Sequence, residues 1–239
     1  MTETSATTAC VILIGNEVLS GRTRDANLQY LGQRLTQRGI RLAEARVIPD
    51  AADVIVATLN ECRARFTYVF TTGGIGPTHD DITAACVARA FGVALERNEE
   101  ARRLLRRNYA SDAELTEARL KMTEIPAGAT LIENPVSHAP GFRIGNVFVL
   151  AGIPRIMQAM FEGVVDTLEG GAPVLSKAVT ALVPEGILGG PLAEVQKRFP
   201  DVEIGSYPFH RDGLAGASLV MRGADPARLE LAAAEVRRF

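Results

Sequence analysis

The segment Thr71–Thr83 combines two kinds of residue that bind phosphate in different ways. Its sequence, TTGGIGPTHDDIT, places three glycines just before Asp80 and Asp81. Glycines between a strand and a helix expose backbone N–H groups at the positive end of the helix dipole, where anions bind. Adjacent carboxylates bind a hard divalent cation. The pattern predicts a phosphate ligand that the loop holds both directly and through a metal.

Simpler explanations stay open for the same residues. The glycines can serve only a tight turn that needs positive φ, and the aspartates can serve only to complement the helix dipole. The segment is not a P-loop, because no Gly-Lys-Ser/Thr follows, and it does not match GxGxxG.

Strands that alternate with helices are expected to position this segment. The apolar patterns predict strands at about 9–14, 41–48 and 67–72, and helices at about 25–38, 52–65 and 82–91. Such alternation predicts a parallel sheet with its ligand site at the carboxyl ends of the strands. The polar loops 15–27, 49–50 and 73–81 should therefore share one edge of the sheet.

Other residues of these loops could take part in chemistry. Glu17 could be a base or a metal ligand, Asp50 could add a carboxylate or serve only as a turn or cap residue, and His79 could transfer a proton or bind a ligand. Two later loops, ENPVSHAPGF (133–142) and GIPRIM (152–157), add further candidates. The predicted ligand or phosphate contacts are Gly15, Ser20, Gly21, Asn27, Thr72, Gly73, Gly74, Gly76, Pro77, Thr78, Asn134, Ser137, Gly141, Gly152 and Pro154.

The second half of the sequence predicts a further helix, three short strands and a separate small domain. Residues 98–122 have a charged helical pattern, GFRIGN and VFVLAG suggest a hairpin, and a helix is expected from Pro154 to about Glu169. GGAP at 170–173 is the best linker candidate. We expect an α/β domain over 8–170 and a small α+β domain over 174–239. In the small domain we expect a strand at 174–183, a helix at about 190–199, strands at 202–207 and 216–222, and a last helix capped by Asp225.

Composition argues against several functional classes. The net charge of −2 and pI of about 6.0 give no support to nucleic-acid binding. No apolar stretch is long enough to span a membrane, and the first residues lack the features of a signal peptide. Cys10, Cys62 and Cys86 form no CxxC pair and are expected to be buried and reduced, as in a cytoplasmic protein.

Taken together, these motifs resemble those of a known family. TTGGIGPTHDDIT resembles the signature of the molybdopterin-binding domain of molybdenum-cofactor biosynthesis proteins, and the closer match is the amino-terminal part of the competence/damage-inducible protein A family. IGNEVLSGRTRDAN, RVIPD, ENPVSHAPGF and VLAGIP agree with that family in order and spacing. The resemblance covers about residues 8–170, and YPFH at 207–210 resembles the small domain that follows.

The resemblance implies a fold and two activities. The fold is a three-layer α/β/α sandwich with a mostly parallel sheet, commonly assembled as homodimers or homotrimers. The cofactor-biosynthesis branch binds molybdopterin and adenylylates or processes it with Mg²⁺. The competence/damage-inducible branch is associated with metal-dependent cleavage of ADP-ribose to AMP and ribose 5-phosphate. Many members of that branch carry a further deamidase domain, an activity not expected of this chain, which ends at Phe239.

The family pattern can be transferred residue by residue. The resemblance places the family's strand-end aspartate on Asp50, its glycine pair on Gly73 and Gly74, and its later aspartate on Asp81. Asp80 departs from the cofactor-biosynthesis branch, which often has arginine there. A carboxylate in place of a cation weakens direct anion binding and favours a metal bridge, and this favours the hydrolase branch.

A second departure lies in the last loop of the domain. Ala151 stands where the family usually has proline before the glycine. The departure puts in doubt the detailed contacts of that loop, not the fold.

The leading hypothesis is therefore a metal-dependent hydrolase of nucleotide diphosphates such as ADP-ribose. Asp50, Asp80 and Asp81 would hold Mg²⁺, Mn²⁺ or Co²⁺, and Glu17 or His79 would accept a proton from water.

The alternative is a molybdopterin-binding protein that does not turn its ligand over, or one that transfers an adenylyl group. Few aromatic residues are available to stack on a pterin, and Phe142, Phe148 and Tyr207 are the candidates. In both cases the partner is a small nucleotide or pterin phosphate.

Overall fold

The structure is a computed structural model that describes residues 7–211 and 213–238. The chain divides into two compact units, of which the first ends at Gly171 and the second begins at Ala172. The first unit contains every candidate residue of the predicted site.

The strands and helices of the first unit follow the alternation that the sequence predicts up to residue 91. The strands are β1 (Thr8–Ile14), β2 (Arg41–Ile48), β3 (Tyr68–Thr72), β4 (Leu95–Arg97), β5 (Glu124–Pro126), β6 (Thr130–Ile132), β7 (Gly141–Ile144) and β8 (Val147–Leu150). The helices are α1 (Asn16–Leu19), α2 (Asn27–Gln37), α3 (Ala52–Arg65), α4 (Thr83–Phe91), α5 (Glu99–Arg106), α6 (Glu117–Leu120) and α7 (Pro154–Glu162).

Six of these strands form one mixed, mostly parallel sheet. Its order is β2-β1-β3-β8-β7-β6, in which the first four strands are parallel and β7 is antiparallel to both of its neighbours. The β7–β8 hairpin is confirmed. Strands β4 and β5, which the sequence patterns did not predict, pair separately as a short antiparallel ribbon.

Alternating residues of β1 pack on opposite faces of the sheet, as a three-layer sandwich requires. Val11 and Leu13 pack in one cluster with residues of α2 and α7, including Leu31 and Phe161. The intervening residues, such as Ile12, pack in a second cluster with residues of α3 and α4. Because both faces are covered, β1 is a continuous apolar run, and the predicted fold class is confirmed.

The cysteines belong to this core. Cys10, Cys62 and Cys86 are at most 3% exposed and form no disulfide. Their burial among apolar side chains raises the pKa of all three thiols. The prediction that the cysteines are buried is confirmed.

The predicted helix over 98–122 is wrong as a continuous element. Helix α5 ends at Arg106, whose guanidinium donates hydrogen bonds to the carbonyls of Tyr109 and Ala110 and so stabilises a turn. A short 3₁₀ turn then begins after Ser111, with a capping box formed by Ser111 and Glu114. These local side-chain bonds compete with the helical hydrogen bonds of the backbone. The helix predicted from Pro154 also ends earlier than expected, at Glu162.

The second unit is an antiparallel sheet with two helices. Its elements are β9 (Leu175–Ala181), α8 (Glu185–Arg198), β10 (Glu203–Arg211), β11 (Leu214–Gly223) and α9 (Pro226–Val236), with sheet order β10-β11-β9. Asp225 caps α9 as predicted, accepting hydrogen bonds from Ala227 and Arg228. Helix α8 begins earlier than predicted and runs through Pro191, because burial of Leu188 and Val195 outweighs the weak helix propensity of Gly-Gly-Pro. Among the described residues, no helix is long and apolar enough to cross a membrane.

Gly141, a predicted ligand contact, lies in a tightly packed pair of strands. A Cβ atom at this position would lie 2.2 Å from the carbonyl oxygen of Val149 and 2.4 Å from Cε of Met160. We expect Gly141→Ala to lower the free energy of unfolding by about 1–3 kcal/mol, because the added methyl group overpacks a rigid strand pair. Urea denaturation followed by circular dichroism measures the change.

Gly32→Ala is the matched control. Position 32 lies within α2, and a Cβ there would make only ordinary contact, 3.5 Å from Cδ2 of Leu42. Alanine favours a helix over glycine, so this variant should be as stable as the parent chain or more stable. An unchanged urea midpoint for Gly141→Ala would contradict the packing role.

Candidate active site

The carboxyl ends of the parallel strands bring the predicted loops to one edge of the sheet. The N–H of Gly15, after β1, donates to the carbonyl of Ile48 at the end of β2, over 3.1 Å. The N–H of Gly73, after β3, donates to the carbonyl of Leu150 at the end of β8, over 3.2 Å. The predicted grouping of the three loops is therefore confirmed.

Gly73 lies at the most crowded point of this edge. Its φ is +101°, and a Cβ there would be 2.2 Å from the carbonyl oxygen of Ile14. A Cβ at Gly152 would come within 3.2 Å of the Cα of Gly73. Only glycine can occupy position 73, because both its conformation and its contact with β1 exclude a side chain.

The glycines of the loop divide into two roles. The carbonyls of Gly73 and Gly74 accept hydrogen bonds from the hydroxyl and the N–H of Thr83, which closes the turn into α4. In the part of the chain that the structure describes, the N–H groups of Gly74, Ile75 and Gly76 donate to no acceptor. The turn explanation thus accounts for Gly73 and also for Gly74, whose φ is +69° and whose Cβ would lie 2.2 Å from Oγ1 of Thr83. The N–H groups of Gly74, Ile75 and Gly76 are nevertheless consecutive donors of the kind that bind anions.

Asp80 and Asp81 meet at a single hydroxyl group. The Oγ1 of Thr78 lies 2.6 Å from Oδ1 of Asp80 and 2.5 Å from Oδ2 of Asp81, and the N–H of Thr78 donates to the same Asp81 oxygen over 2.8 Å. A hydroxyl has one proton, so it can donate to only one of the two carboxylates at a time. The other carboxylate oxygen is left facing an oxygen, an arrangement that a cation would stabilise.

The Asp80 carboxyl is exposed and ionised. Its hydrogen bond with the Thr78 hydroxyl, and then its own backbone N–H, hold the pKa of this carboxyl below its usual range. Asp81 is partly covered by the loop, and a Cβ at Gly76 would lie 2.6 Å from its Oδ2. Gly76 therefore leaves the space that this carboxylate occupies.

Lys121 supplies a cation next to this pair, and the sequence analysis missed it. Its ammonium group donates to the carbonyl of Thr78 over 2.5 Å, from a 3₁₀ turn that follows α6. It lines an open depression together with Gly74, Gly76 and Asp81. The sequence does not indicate Lys121. Its pattern predicts one charged helix over 98–122, in which Lys121 is one of many charges, and the structure does not contain that helix.

Asp50, Glu17 and His79, which were predicted to take part in the chemistry, lie around the glycine loop but do not join Asp80 and Asp81 at the Thr78 hydroxyl. Asp50 accepts the N–H of Asn16, the first residue of α1, over 2.8 Å and does not cap α3, the helix that follows it. The Glu17 carboxylate folds back over Gly15, since a Cβ there would lie 2.5 Å from its Oε1. The side chain of His79 is 97% exposed, and its Nδ1 lies 3.9 Å from Oδ1 of Asp80.

The predicted three-carboxylate metal site is not assembled. Over residues 7–211 and 213–238, no group of three or more His, Cys, Asp and Glu side chains is close enough to hold a metal ion. Asp80 and Asp81 are brought together, and Asp50 is occupied elsewhere. The metal itself stays a prediction, with two carboxylates as its protein ligands.

A second depression lies next to the end of β3. It is lined by residues that include Ile14, Glu17, Asn27, Thr72, Gly152 and Pro154. Asn27, at the start of α2, donates from Nδ2 to the carbonyl of Gly152 over 2.8 Å and approaches Oγ1 of Thr72 at 3.4 Å. Asp25 accepts the N–H groups of Asn27 and Leu28, which fixes the beginning of the helix.

The remaining predicted contacts have local structural roles or lie exposed on the loops. Asn134 is 2% exposed, and its amide bonds to Val136, Ser137 and Ala139 of its own loop. The Ser20 hydroxyl donates to the carbonyl of Glu17. Gly21 and Pro77 are exposed, and Pro154 is the first residue of α7.

The aromatic candidates for stacking on a pterin are mostly unavailable. Phe142 and Phe148 are each 1% exposed and belong to the two core clusters. Phe148 packs against the ring of Phe70 with centroids 5.0 Å apart. Tyr207 is 46% exposed and lies in the second unit. Of the three candidates, only Tyr207 has a substantially exposed ring.

Comparisons with known proteins agree with this architecture. A family described as probable molybdopterin binding domain matches residues 10–170, and one described as FAD synthase, middle domain, matches residues 173–239. A protein from Pyrobaculum calidifontis is 39% identical over 211 residues, which are 84% of this chain and 80% of that protein. A protein from Archaeoglobus fulgidus is 34% identical over 198 residues, which are 83% of this chain and 84% of that protein.

A solved structure is similar to the first part of the chain. The crystal structure of the protein CinA with unknown function from Thermoplasma acidophilum is 36% identical, with a TM-score of 0.64. The match covers 68% of this chain and 98% of that chain. The chain therefore belongs to the competence/damage-inducible protein A (CinA) family, whose members share the molybdopterin-binding domain found here over residues 10–170.

Proposed function

We propose that the chain is a metal-dependent hydrolase that cleaves the diphosphate of ADP-ribose or a close relative. One observation carries the proposal: Asp80 and Asp81 converge on Thr78 beside three unpaired backbone N–H groups and Lys121. N–H donors and an ammonium group bind phosphate oxygens directly, whereas carboxylates bind them only through a cation. A site with both kinds of group suits a diphosphate with a divalent metal.

The residues fit a metal that the substrate helps to coordinate. Mg²⁺ prefers oxygen ligands and is commonly bound by one or two carboxylates together with substrate phosphates. Asp80 and Asp81 would hold it, since their carboxylate oxygens converge on the Thr78 hydroxyl, which can donate to only one of them at a time. A bound metal of this kind supplies Lewis acidity at a phosphoryl oxygen.

The chain's own residues account for binding and proton transfer. The N–H groups of Gly74, Ile75 and Gly76 and the Lys121 ammonium orient the diphosphate and offset its charge. A water oxygen bonds to one phosphorus while the bond from that phosphorus to the bridging oxygen breaks, giving AMP and ribose 5-phosphate. Glu17 or the exposed His79 takes the proton that the water loses.

A second candidate is a molybdopterin-binding function, with or without adenylyl transfer. The match of residues 10–170 to the probable molybdopterin binding domain favours it. The same N–H groups would bind the pterin phosphate. Assembly into dimers or trimers stays a prediction for either function.

A product assay separates the two candidates. Purified protein is incubated with ADP-ribose, NAD, FAD or ATP and with Mg²⁺, Mn²⁺ or Co²⁺, and the products are separated by chromatography. AMP formed from ADP-ribose only when metal is present supports the hydrolase. A folded protein that cleaves none of these, yet carries a pterin that fluoresces after oxidation, supports the alternative.

Asp81→Asn should abolish metal-dependent cleavage while the loop keeps its shape. The amide oxygen can still accept the N–H of Thr78, but the negative charge is lost. We expect kcat/KM to fall by at least about 100-fold, the scale of losses at metal sites. Asp53→Asn is the control, because the Asp53 side chain is 87% exposed and pairs with Arg89 of α4 at the surface. Full turnover by Asp81→Asn would refute the metal assignment.

Lys121→Met should weaken binding of the diphosphate more than it slows the chemical step. The substitution keeps an unbranched chain in the depression but removes the cation and its bond to the Thr78 carbonyl. We expect KM for ADP-ribose to rise about 10-fold, on the scale of one charge-assisted hydrogen bond. Steady-state kinetics measures the change, with Lys197→Met as the control, since Lys197 is exposed on α8 and pairs with Glu194. An unchanged KM would remove Lys121 from the binding site.

A further inference from the structure

Strand β2 ends the six-stranded sheet and leaves one side of its backbone open. It pairs with β1, and the carbonyl of Ile48 accepts the N–H of Gly15, which follows β1. Backbone groups of alternate residues point to opposite sides of a strand. Those of Ile48 and Arg46 therefore face β1, and those of Ala45 and Val47 face away from the sheet. In the part of the chain that the structure describes, no residue bonds to these outward groups.

The other edges of the two larger sheets carry features that discourage pairing with a further strand, and β2 largely lacks them. Natural edge strands are protected by short length, proline, bulges or inward-pointing charges. Strand β6 has three residues, β10 contains Pro208, and Lys177 of β9 pairs with Glu230 of the covering helix α9. Strand β2 has eight residues without proline or lysine. It has a bulge at Ala43, which leaves 44–48 in regular register with β1.

The charged side chains of β2 belong to a network without net charge. Arg46 lies 2.5 Å from both Glu44 of the same strand and Glu61 of α3, and Arg65 of α3 lies 3.2 Å from Glu44. The network has two cations and two anions, so a second copy of the same surface meets no net repulsion. The alternation of Glu44 and Arg46 along β2 also makes the strand complementary to itself.

This complementarity selects one pairing register. Two copies related by a two-fold axis pair edge to edge as antiparallel strands, so each register is centred on one residue. A register centred on Ala45 places Glu44 of each copy opposite Arg46 of the other, and it brings the outward groups of the two Ala45 residues together. Opposite charges in such positions stabilise a strand pair. The neighbouring registers, centred on Glu44 or Arg46, place like charges opposite each other and are destabilised.

We propose that two copies of the chain associate through β2, in an antiparallel register centred on Ala45, so that their sheets form one continuous sheet. Val47, which is 41% exposed in one copy, then lies opposite Ala43 of the second copy. The carboxyl ends of β2 point in opposite directions in the pair, and so do the two candidate active sites. The interface does not depend on the proposed function.

Ala45→Pro tests the backbone pairing. Proline removes the outward N–H of residue 45 and is tolerated on edge strands where that N–H does not bond within the sheet. Sedimentation velocity of the full chain should show a dimer for the parent protein. The dissociation constant should rise at least about 10-fold in Ala45→Pro, the scale of losing the two hydrogen bonds related by the axis.

Ala45→Thr is the matched control, because threonine changes the same side chain, favours strands and keeps the N–H. This variant should remain dimeric. A parent protein that sediments as a monomer or a trimer would overturn the proposal, and so would a dimer that Ala45→Pro leaves unchanged.

A charge exchange tests the register. Glu44→Arg places two cations opposite each other and should weaken the dimer. Adding Arg46→Glu to the same chain restores opposite charges in the Ala45 register and should restore the dimer. Circular dichroism checks that each variant folds, and if Ala45→Pro does not fold, the charge variants decide. A folded double variant that stays as monomeric as Glu44→Arg would refute the interface.

Discussion

The close approach of Gly73 to the carbonyl of Ile14 is the contact on which the candidate site depends. A Cβ here would be 2.2 Å from that oxygen, so β1 and β3 can end side by side only with glycine at this position. The contact also brings Gly152, after β8, within packing distance of the same backbone. Three loops from distant parts of the sequence thereby meet at one point.

The contact also marks a change in the backbone groups that are available to the two depressions. Beyond Gly73 the chain leaves the sheet, and its N–H groups are not needed by a neighbouring strand. Before Gly73 the backbone is still paired within the sheet, so polar character there comes from side chains such as Asn27 and Glu17. Both depressions combine cationic and acidic side chains: Lys121 with Asp81 and Glu124 in the first, and Arg24 with Glu17 and Asp25 in the second.

The sequence predicted the parts of the structure that follow from local patterns. The apolar run at 41–48 predicted the observed bounds of β2, and apolar residues at helical spacing predicted those of α3. The glycine loop was expected after β3, where it lies. Lys121 could not be predicted, because it reaches the loop through tertiary packing of a turn 43 residues away. Asp50 shows a different limit of the prediction. Its position just after β2 was predicted correctly, but the sequence does not tell whether a carboxylate there accepts a backbone N–H, as it does from Asn16, or binds a metal. Side-chain partners depend on distances that spacing along a chain does not contain.

The buried cysteines have a practical consequence for the two-unit architecture. All three belong to the first unit, and residues 172–239 contain none. Burial raises the pKa of each thiol, so in the native state they are both shielded and poorly nucleophilic. An alkylating reagent can modify them only when the first unit opens. The rate of labelling therefore measures how often the first unit, which holds the candidate active site, opens. It does not measure opening of the second unit, because residues 172–239 contain no cysteine.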